Sequence, residues 1–517
     1  MKKQYGELKA AVDNYVAGRL SSDELKPFLA PSGIYQQRND LFMARVRITG
    51  GEISGDSLIG LADIAESCGG YAQLTSRQDL QIHNVTAERI MEVVSGSDKL
   101  GLPFKGGGGN TYRNMIASAD SGFSVSCAFD VYPYAHAIHR AVLKYAKAFA
   151  LPRKLKIGFF AKESERVQAA AQDLGFVAQV REGRQGFTVY AGGGQGRESA
   201  VGVKLFDFLD GSNCLRATLA LAALFYDHGD RANRQKARLR FVVKRLGAEA
   251  FLRLYLGYYA DTKAPTLKIP PEKDLLALVP QLRRGKGGPA AQGFSIWETI
   301  AVQPTRFGDE VKSVRLYVPY GNLTGPQLRG LASLAKAYCP VPLRLLVTED
   351  LLIPMVHVSA LPEIFERLRG ETDGLDLTFG SYKGHLATCV GAAVCRIGMV
   401  DTPSVADRLA TELDRYLPPD TPEKLRLLRL VTDDLRISGC PNSCASHHVA
   451  RIGIGCVAQR VDGAVQCLAR LLVGAGVRDG VPCFSEELEP DRLIPVADLG
   501  KKVLDELAKR VAEEEVR

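Results

Sequence analysis

The sequence has 517 residues, of which 46% are hydrophobic and 24% charged. This composition is ordinary for a globular protein, and the length is too great for one hydrophobic core, so we predict two to three domains. The most apolar stretch covers only 215–226, fewer than the roughly 18 residues that a membrane helix needs. The start, Met1-Lys2-Lys3, leads into polar sequence, unlike a secretory signal. We therefore expect a cytoplasmic protein without membrane association.

The formal net charge of +8 favours an anionic partner. Nucleic acid is one candidate, but the sequence has no basic run or recognised binding motif for it, so we expect none. A polyanionic cofactor or a small oxyanion is the other candidate. Charge alone does not choose between them.

An internal repeat organises the chain. Residues 47–65 and 317–335 match at a constant offset, with glycine, leucine or alanine coinciding at seven positions. Each copy has the pattern of a strand, a glycine-containing turn and an amphipathic helix, followed by a β-rich run at 71–74 or 343–347. The sequence therefore predicts an α+β fold with two related halves.

A weaker second repeat supports the same duplication. The first copy begins at 151–157 and passes through a helical stretch to a turn at 183–186 and a strand at 187–191. The second copy begins at 434–439 and reaches 471–476. Together the two repeats predict an internally duplicated, pseudo-two-fold architecture.

The halves differ in the residues that could perform chemistry. Residues 75–83 of the first half read TSRQDLQIH, whereas 348–354 of the second half are acidic and then apolar. Conversely, the second half has Cys440 and Cys444, and our alignment of the copies puts Phe160 and Ser164 near the equivalent positions of the first half. This division predicts one active site at the interface of the halves.

Four of the eleven cysteines form two close pairs. Cys389 and Cys395 are spaced C-x5-C, and Cys440 and Cys444 are spaced C-x3-C. Four thiolates are the usual ligands of a 4Fe–4S cluster. A structural zinc site or four unrelated thiols are alternatives, but zinc favours tighter spacing than C-x5-C. We also expect a helix near Cys444 to direct its positive end at an anionic cluster.

Several motifs give the sequence its resemblance to the siroheme-containing nitrite and sulfite reductase family. They occur in the family's order from about residue 33 into the last third of the chain. They are GIYQQR (33–38), RVRITGG (45–51), TSRQDLQIH (75–83), NTYRNM (110–115), LPRKLKI (151–157), DHGDRANR (227–234), the C-x5-C pair and GCPNSC (439–444).

The resemblance implies a fold of paired ferredoxin-like half-domains with siroheme and 4Fe–4S domains. The expected divisions are an N-terminal arm at 1–42, half-domains at 43–106 and 300–378, a first siroheme-binding domain at 107–299 and a 4Fe–4S/siroheme domain at 379–517. No flavin or nicotinamide domain is evident, and 192–196 lacks the context of a dinucleotide loop. Electrons are therefore expected from a separate donor, a ferredoxin or a flavoprotein.

The resemblance also implies roles for individual residues. The cluster ligands are Cys389, Cys395, Cys440 and Cys444, and Cys444 bridges the cluster to the siroheme iron. The cations that face the substrate are Arg45, Arg113, Lys154 and Lys156. Further siroheme contacts are expected from Thr75, Arg77, Gln81, His83, Arg153 and Asn442. Arginine and lysine suit the many carboxylates of siroheme and an anionic substrate.

The implied reaction is the six-electron reduction of sulfite to sulfide. Ferredoxin-type nitrite reductases tend to carry Asn where this chain has Lys156, which favours sulfite over nitrite. Nitrite reduction remains the alternative, because some nucleotide-linked nitrite reductases also have lysine there. A precorrin-ring oxygenase of the same superfamily and a simple iron–sulfur electron carrier are further alternatives, and the carrier would leave the four cations without a purpose.

Overall fold

The computed structural model describes residues 5–269, 274–287, 290–370, 374–378, 380–461, 463–490 and 492–515. Its helices are α1 (Gly6–Val16), α2 (Ser22–Leu29), α3 (Gly55–Ser67), α4 (Ile90–Lys99), α5 (Tyr132–Val142), α6 (Arg166–Ala170), α7 (Cys214–His228), α8 (Leu239–Leu246), α9 (Ala248–Asp261), α10 (Phe294–Ala301), α11 (Gly325–Tyr338), α12 (Leu361–Leu368), α13 (Gly391–Val394), α14 (Thr402–Tyr416), α15 (Pro422–Asp434) and α16 (Leu499–Glu515). None of these helices combines the length and the apolar character needed to cross a bilayer, in the part of the chain that the structure describes.

The strands are β1 (Ile34–Gln36), β2 (Phe42–Val46), β3 (Glu52–Ile53), β4 (Ala72–Leu74), β5 (Leu80–Val85), β6 (Ile116–Ala117), β7 (Ile157–Phe160), β8 (Leu174–Arg181), β9 (Arg184–Ala191), β10 (Val203–Asp210), β11 (Val302–Pro304), β12 (Val311–Leu316), β13 (Asn322–Leu323), β14 (Leu343–Leu345), β15 (Leu351–His357), β16 (Ala387–Thr388), β17 (Leu435–Ser438), β18 (Ile452–Val461), β19 (Ala464–Val473), β20 (Gly476–Arg478), β21 (Val481–Cys483), β22 (Glu486–Glu487) and β23 (Ile494–Pro495).

The chain forms two compact units. Unit 1 comprises Met1–Gly194, Ala200–Leu275 and Leu323–Ala332. Unit 2 comprises Gln195–Ser199, Leu276–Asn322 and Ser333–Arg517. In the described residues each unit contains a larger antiparallel sheet and a mixed sheet, and unit 2 also has a two-stranded antiparallel sheet of β20 and β21.

The antiparallel sheet of unit 1 contains β1, β2, β5 and β4 in that order. Along β2 the buried residues alternate with half-buried ones. Arg45 therefore lies on the sheet face opposite to that of its buried neighbours Ala44 and Val46. The register places Arg45 opposite Gln81 of β5. The alternation therefore fixes which side chains of this sheet are available for polar contacts.

The mixed sheet of unit 1 runs β10-β9-β8-β7-β6, with β6, β7 and β8 parallel and the remaining pairs antiparallel. An aromatic cluster fills one side of it. Phe159 stacks on Phe176 with ring centroids 4.6 Å apart. Phe187 meets both rings edge-on at 5.8 and 5.6 Å. These geometries are the ones that aromatic quadrupoles favour.

Unit 2 repeats the same two layouts. Its antiparallel sheet contains β11, β12, β15 and β14 in that order. Its mixed sheet runs β16-β17-β18-β19, with β16, β17 and β18 parallel and β18 and β19 antiparallel. The strand directions of β7-β8-β9 thus recur in β17-β18-β19. The predicted duplicated α+β fold is confirmed.

Backbone details of the first repeat match as well. Gln78 and Glu349 both adopt a positive φ, at 55° and 70°, in the turn before β5 and before β15. Gly50 and Tyr320 share a positive φ at the turn before α3 and before α11. Glycine adopts a positive φ easily, whereas tyrosine does so rarely. The turn geometry is therefore the same in both copies although Gly50 is replaced by Tyr320.

One strand was not predicted from sequence. The helical stretch expected between 157 and the turn at 183–186 is present as α6, but α6 ends at Ala170 and β8 follows it. The first five residues of β8 are all buried, so they lack the alternation that identifies a strand. The turn itself is shorter than predicted and lies at Glu182 and Gly183, both with positive φ, as in a two-residue hairpin.

Phe187→Ala should destabilise unit 1 strongly, because Phe187 is fully buried within the aromatic cluster. We expect the free energy of unfolding, measured with urea, to fall by about 3–5 kcal/mol. Val125→Ala is the matched control, since Val125 is 69% exposed, and its effect should stay within about 0.5 kcal/mol. Equal effects of the two substitutions would contradict the assignment of this core.

Candidate functional site

The predicted site residues fall into two groups, one in each unit, and each group is described separately. The cysteine group in unit 2 follows the carboxyl ends of two parallel strands. Cys389 comes directly after β16, and Cys440 comes two residues after the end of β17. The amide of Cys389 donates to the Ile437 carbonyl at 3.3 Å. Because neighbouring parallel strands end at the same sheet edge, both cysteine loops begin there.

The two cysteine loops are joined by backbone hydrogen bonds. The Gly439 carbonyl accepts from the amides of Met399 at 3.1 Å and Val400 at 3.2 Å. The Gly439 amide donates to Cys389 Sγ at 3.3 Å. The loop that carries Cys389 is therefore held against the residue that precedes Cys440.

Glycine is required at this junction. Gly391 has φ +52°, and a Cβ there would lie 2.4 Å from both the Val400 carbonyl oxygen and Thr402 Oγ1. A Cβ on Gly439 would lie 2.7 Å from the same carbonyl oxygen and 3.2 Å from Gly391 Cα. These distances are shorter than a side chain tolerates, so the close approach of the two loops depends on both glycines.

The four thiols form one electrostatic group. Burial and then the neighbouring Cys444 raise the pKa of Cys389 to about 11. Burial also raises the pKa of Cys440, with further contributions from Cys444 and Cys395. Cys389 and Cys440 therefore keep their protons at neutral pH, and a metal ion that binds them must replace those protons. Among the described residues, no set of three or more His, Cys, Asp or Glu side chains is spaced to hold a single metal ion.

Hydrogen-bond donors surround the sulfurs. Besides the Gly439 amide, the backbone and side chain of Asn442 donate to Cys440 and oppose the rise of its pKa. Thr402 Oγ1 lies 3.5 Å from Cys389 Sγ. Donors directed at sulfur stabilise thiolates and tune the potential of an iron–sulfur cluster. The donor set and the glycine-lined loops fit a 4Fe–4S cluster held by Cys389, Cys395, Cys440 and Cys444.

The helix expected near Cys444 is absent from the described residues after it. Ser446 has φ +66°, and only a short 3-10 turn at His447–Val449 follows. The helix beside the cysteines is instead α14, which begins at Thr402. Its first residue donates to the Cys389 carbonyl.

In unit 1, four arginines surround one buried carboxylate. Burial raises the pKa of Asp79, and the positive charges of its neighbours oppose that rise. Asp79 is 2% exposed, so solvent screens this arrangement only weakly. We call these residues the arginine cluster: Arg45, Arg47, Arg77 and Arg113, together with Asp79.

Arg45 has three partners around its guanidinium. Its Nε lies 3.8 Å from Asp79 Oδ2, and its Nη1 donates to the Gly107 carbonyl at 3.3 Å. With its amide oxygen turned toward Arg45, Gln81 accepts from Nη2 at 2.8 Å. The Arg45 side chain remains 23% exposed. Its charge is therefore only partly compensated.

His83 lies behind this pair and is uncharged. Burial, then the charge of Arg45, lower the pKa of His83 to about 4. Its Nε2 is 3.1 Å from Gln73 Oε1, and its ring stacks on Tyr71 at 4.8 Å. No described residue lies within hydrogen-bonding distance of its buried Nδ1.

Thr75 and Arg77 belong to the tight turn before β5. Thr75 Oγ1 accepts from the amides of Arg77 at 3.3 Å and Asp79 at 3.1 Å. Arg77 donates through its guanidinium to the carbonyls of Asn114 and Ile157. Burial lowers the pKa of Arg77 to about 10, while Asp79 opposes this. The turn thus fixes both residues relative to the cluster.

Arg113 points into the glycine loop at 106–109. Its Nη2 donates to the Gly109 carbonyl at 2.8 Å, and its Nη1 contacts Thr111 Oγ1 at 3.2 Å. Burial lowers the pKa of Arg113 to about 9, and nearby Arg45, Arg47 and Arg153 lower it further. This loop supplies carbonyl acceptors for three arginines of the cluster.

Arg47 was not predicted from sequence. It lies over the Tyr112 ring at 4.3 Å and donates to the carbonyls of Gly106 and Tyr112. It is only 2% exposed, and no described residue accepts a hydrogen bond from its Nε or Nη1. Alternation along β2 does not reveal it, because β2 ends at Val46.

The remaining predicted cations lie in the LPRKLKI segment. Lys154 and Lys156 are half-buried, and the Lys156 amide donates to Asp173 Oδ2 at 2.7 Å. Asp173 is fully buried and pairs with Arg238 at 2.9 Å. Burial lowers the pKa of Arg153, with further contributions from Arg234 and Arg238. The charge of Arg153 acts on Arg113, so Arg153 is electrostatically linked to the arginine cluster.

Unit 2 contains the counterpart of the Arg45–Asp79 pair with its charge compensated. Arg315 pairs with Asp350 at 2.7 Å and also with Asp433. Its side chain is 4% exposed. The same position in the duplicated sheet therefore carries a buried, short ion pair in unit 2 and a longer, partly exposed one in unit 1.

Unit 1 in turn contains the counterpart of the cysteine loops. The Ala161 amide donates to Ser118 Oγ at 2.8 Å, as the Gly439 amide does to Cys389 Sγ. Lys162 therefore corresponds to Cys440, and Arg166 to Cys444. The sequence alignment with Phe160 and Ser164 was wrong by two residues, because strand pairing rather than residue similarity sets the register here.

A polar network occupies this counterpart. Lys162 Nζ pairs with Asp120 Oδ2 at 2.5 Å. Ser118 Oγ donates to Glu165 Oε2 at 2.5 Å, and the Lys162 amide donates to the same oxygen at 3.1 Å. Ion pairs and hydrogen bonds therefore join the two loops in unit 1. In unit 2 the corresponding loops would be joined by the cysteine thiols and the metal ions that they bind.

Comparisons with known proteins agree with this architecture. The ferredoxin-like half domain of nitrite/sulfite reductases matches residues 35–99 and 304–370. The nitrite and sulphite reductase 4Fe-4S domain matches residues 108–263. The clustered cysteines lie outside the matched ranges, whereas Ser118 and Lys162, their counterparts, lie inside.

Similar proteins of known sequence include reductases of both anions. The sulfite reductase [NADPH] hemoprotein beta-component of Acidithiobacillus ferrooxidans is 29% identical, over 87% of this chain and 82% of its own. The ferredoxin–nitrite reductase of Synechococcus elongatus is 26% identical, over 82% of this chain and 77% of its own.

A solved structure shows the same fold. The Mycobacterium tuberculosis NirA protein aligns with a TM-score of 0.76 at 22% identity, covering 96% of this chain and 91% of its own. The two family models together match more than half of the sequence. The chain therefore belongs to the nitrite and sulphite reductase family, a family of oxidoreductases that carry siroheme and a 4Fe–4S cluster.

Proposed function

We propose that this protein reduces sulfite to sulfide with electrons from a separate donor protein. One observation carries the proposal: the buried carboxylate Asp79 has four arginines around it, and Asp173, which also acts on Arg77, is already paired with Arg238. Such an excess of positive charge calls for anionic ligands, which siroheme carboxylates and an oxyanion would supply. When bound, the siroheme coupled to the cluster would supply electrons to an anion on its iron.

The protein's own residues would bind and orient these groups. We assign substrate binding to Arg45, Arg113, Lys154 and Lys156. Thr75, Arg77, Gln81, His83, Arg153 and Asn442 are assigned to siroheme contacts, and Cys444 to bridging the cluster and the siroheme iron. The hydroxyl of Thr75 suits this role, because its oxygen already accepts two backbone amides and its proton can be donated.

Arginine and lysine would have different roles toward the substrate, namely binding and proton donation. Arginine stays protonated and holds an oxyanion through a planar set of donors. Lysine can release a proton, so Lys154 and Lys156 are the candidate proton donors. Gln81 and Asp79 would orient Arg45, since both contact its guanidinium.

The choice of sulfite over nitrite rests on Lys156, where ferredoxin-type nitrite reductases tend to have Asn. Nitrite reduction is the second candidate, because the similar proteins include ferredoxin–nitrite reductases. A cytoplasmic location and the domain divisions at 43–106, 107–299, 300–378 and 379–517 remain part of the proposal.

Turnover of the purified holoenzyme with a reduced dye tests the function directly. Sulfite and nitrite should be compared in parallel, with sulfide and ammonia measured as products. The higher kcat/KM is expected for sulfite. Nitrite as the better substrate would replace the proposal by its alternative, and turnover of neither anion would overturn it.

Cys440→Ser should remove the cluster, because serine oxygen is a poor substitute for thiolate toward iron. We expect iron and acid-labile sulfide to fall to a small fraction of the wild-type content, with loss of siroheme absorption. Cys214→Ser is the matched control, since Cys214 is a buried cysteine outside the two pairs. Full cluster content in the Cys440 variant would contradict the ligand assignment.

Lys156→Asn should reduce sulfite turnover more than nitrite turnover. Sulfite carries more negative charge near neutral pH and loses its oxygens through successive protonation, so it depends more on an ammonium donor. An amide can still hydrogen-bond the smaller nitrite. We expect kcat/KM for sulfite to fall about tenfold or more, the scale of one lost donor in a buried site.

The two kcat/KM values should be measured with one reductant in wild type and variant, and siroheme content should remain unchanged. An equal fall for both anions, or a larger fall for nitrite, would show that Lys156 does not set the preference.

A further inference from the structure

The glycine-rich segment at 192–196, which lacks the context of a dinucleotide loop, leads into a short loop at 195–199. The amides of Gly194 and Ala200 each donate to the other's carbonyl at 2.9 Å, so the two ends of the loop lie side by side. Within the loop, Gly196 is buried and has φ +132°, a conformation that glycine adopts far more readily than other residues. The backbone therefore holds this loop in a defined position.

Gln195 contacts the C-x3-C turn of unit 2, the unit to which residues 195–199 belong. The hydroxyl of Ser443, the residue directly before Cys444, donates to Gln195 Oε1 at 3.1 Å. Ser443 is 2% exposed, so water does not satisfy this hydroxyl. Of the residues that the structure describes, Gln195 alone accepts from it. Removing the Gln195 side chain would leave a buried hydroxyl without an acceptor, which is unfavourable.

Ser443 also has a backbone conformation that serine rarely adopts. Its φ is +53°, and Ser446, which follows Cys444 closely, has φ +66°. A non-glycine residue persists in this region only where its surroundings hold it there. The Ser443 amide donates to the Cys440 carbonyl at 3.3 Å, and the Ser443 carbonyl accepts from the Ser446 amide at 3.1 Å. Ser443 is therefore the centre of the turn that carries Cys440 and Cys444.

The turn is held on both sides of Cys444. After Cys444, the Ala445 amide donates to Ser438 Oγ at 3.3 Å. Before it, the Ser443 hydroxyl is held by Gln195. Ser443 and Ala445 are both buried, whereas Cys444 between them is exposed. The two buried neighbours thus anchor the backbone and direct the Cys444 side chain outward.

We infer that Gln195 is a positioning residue for Cys444. By holding the Ser443 hydroxyl it stabilises the positive φ of Ser443, and this conformation sets the direction of the next side chain. A thiolate that bridges two metal centres tolerates little displacement, because both of its bonds depend on where it lies. The inference rests on the proposed function, in which Cys444 bridges the cluster and the siroheme iron, and adds the residue that fixes this bridge.

The first test compares Gln195→Ala with wild-type holoenzyme by Mössbauer spectroscopy. An oxidised 4Fe–4S cluster is diamagnetic, so magnetic splitting of its iron spectrum reports coupling to the paramagnetic siroheme iron through the bridge. We expect the split fraction of cluster iron to fall about twofold or more in Gln195→Ala, since ligand geometry depends on the contacts that support the ligand. Ser199→Ala changes an exposed residue of the same loop. It is the matched control and should leave the spectrum unchanged.

Steady-state kinetics with a reduced dye supply a second measurement. The kcat should fall about tenfold in Gln195→Ala, because small displacements of reacting groups have large effects on rate. The KM for the anion should stay within about twofold of the wild-type value, because the described contact of Gln195 is with the cysteine turn. Ser199→Ala should change neither constant.

Ser443→Gly separates positioning from a general effect on folding. Glycine adopts a positive φ without strain and has no hydroxyl to satisfy. In this background Gln195→Ala should therefore cause no further loss of magnetic splitting or kcat. Ser443→Ala removes the hydroxyl but keeps the strained φ, so it should reproduce the effects of Gln195→Ala.

The outcomes distinguish two failures. No turnover of sulfite or nitrite by wild type with the dye would overturn the proposed function. Normal wild-type turnover, with the splitting and kcat of Gln195→Ala equal to those of Ser199→Ala, would overturn the role of Gln195 alone. If Gln195→Ala also loses iron and siroheme, their recovery in the Ser443→Gly background supports the role. Losses of the same size in both backgrounds would show that Gln195 acts elsewhere and would overturn it.

Discussion

Excess positive charge held in a buried region is the constraint on which unit 1 depends. Four arginines around Asp79 repel one another, and burial leaves little solvent to screen them. The fold compensates by donating their guanidinium groups to backbone carbonyls, as Arg113 does to Gly109 and Arg77 to Ile157. Carbonyls stabilise but do not neutralise a cation, so the region retains a strong preference for anions.

The antiparallel sheet of unit 2 shows that the excess of positive charge is not a general property of this fold, because there the corresponding arginine is neutralised by carboxylates. Arg315 has two carboxylate partners in unit 2, whereas Arg45 has one carboxylate at 3.8 Å in unit 1, together with an amide and a backbone carbonyl. The mixed sheets diverge in the opposite sense, with thiols at Cys389 and Cys440 where the other copy has Ser118 and Lys162. A self-contained polar network stabilises the loop junction in unit 1, whereas the thiols of unit 2 can bind a metal once their protons are displaced.

Sequence alone gives much of this arrangement because its strongest signals are local. The cysteine spacing and the TSRQDLQIH turn are contiguous, and the repeat around Gly51 and Gly321 keeps its offset. Burial and long-range register are not local. Asp79 lies within a recognised motif, yet nothing in the motif shows that it faces Arg47 and Arg113. The alignment with Phe160 failed for the same reason, since only the pairing of β7 with β6 fixes which residue opposes Ser118.

The glycines at the cysteine junction connect these levels of structure. The spacing of the cysteines in the sequence does not show that Gly391 and Gly439 approach each other's backbone. Because of that approach, the Gly439 amide donates to Cys389 Sγ. Cys440 follows Gly439 directly, and α14 begins at Thr402, beside the same junction. The same close junction leaves the loop after Cys395 little room to turn inward, because Gly398 packs against the backbone of Gly391. Ile397 and Met399, on either side of Gly398, are consequently exposed, so the packing that assembles the cysteine group also places these two apolar side chains at the surface.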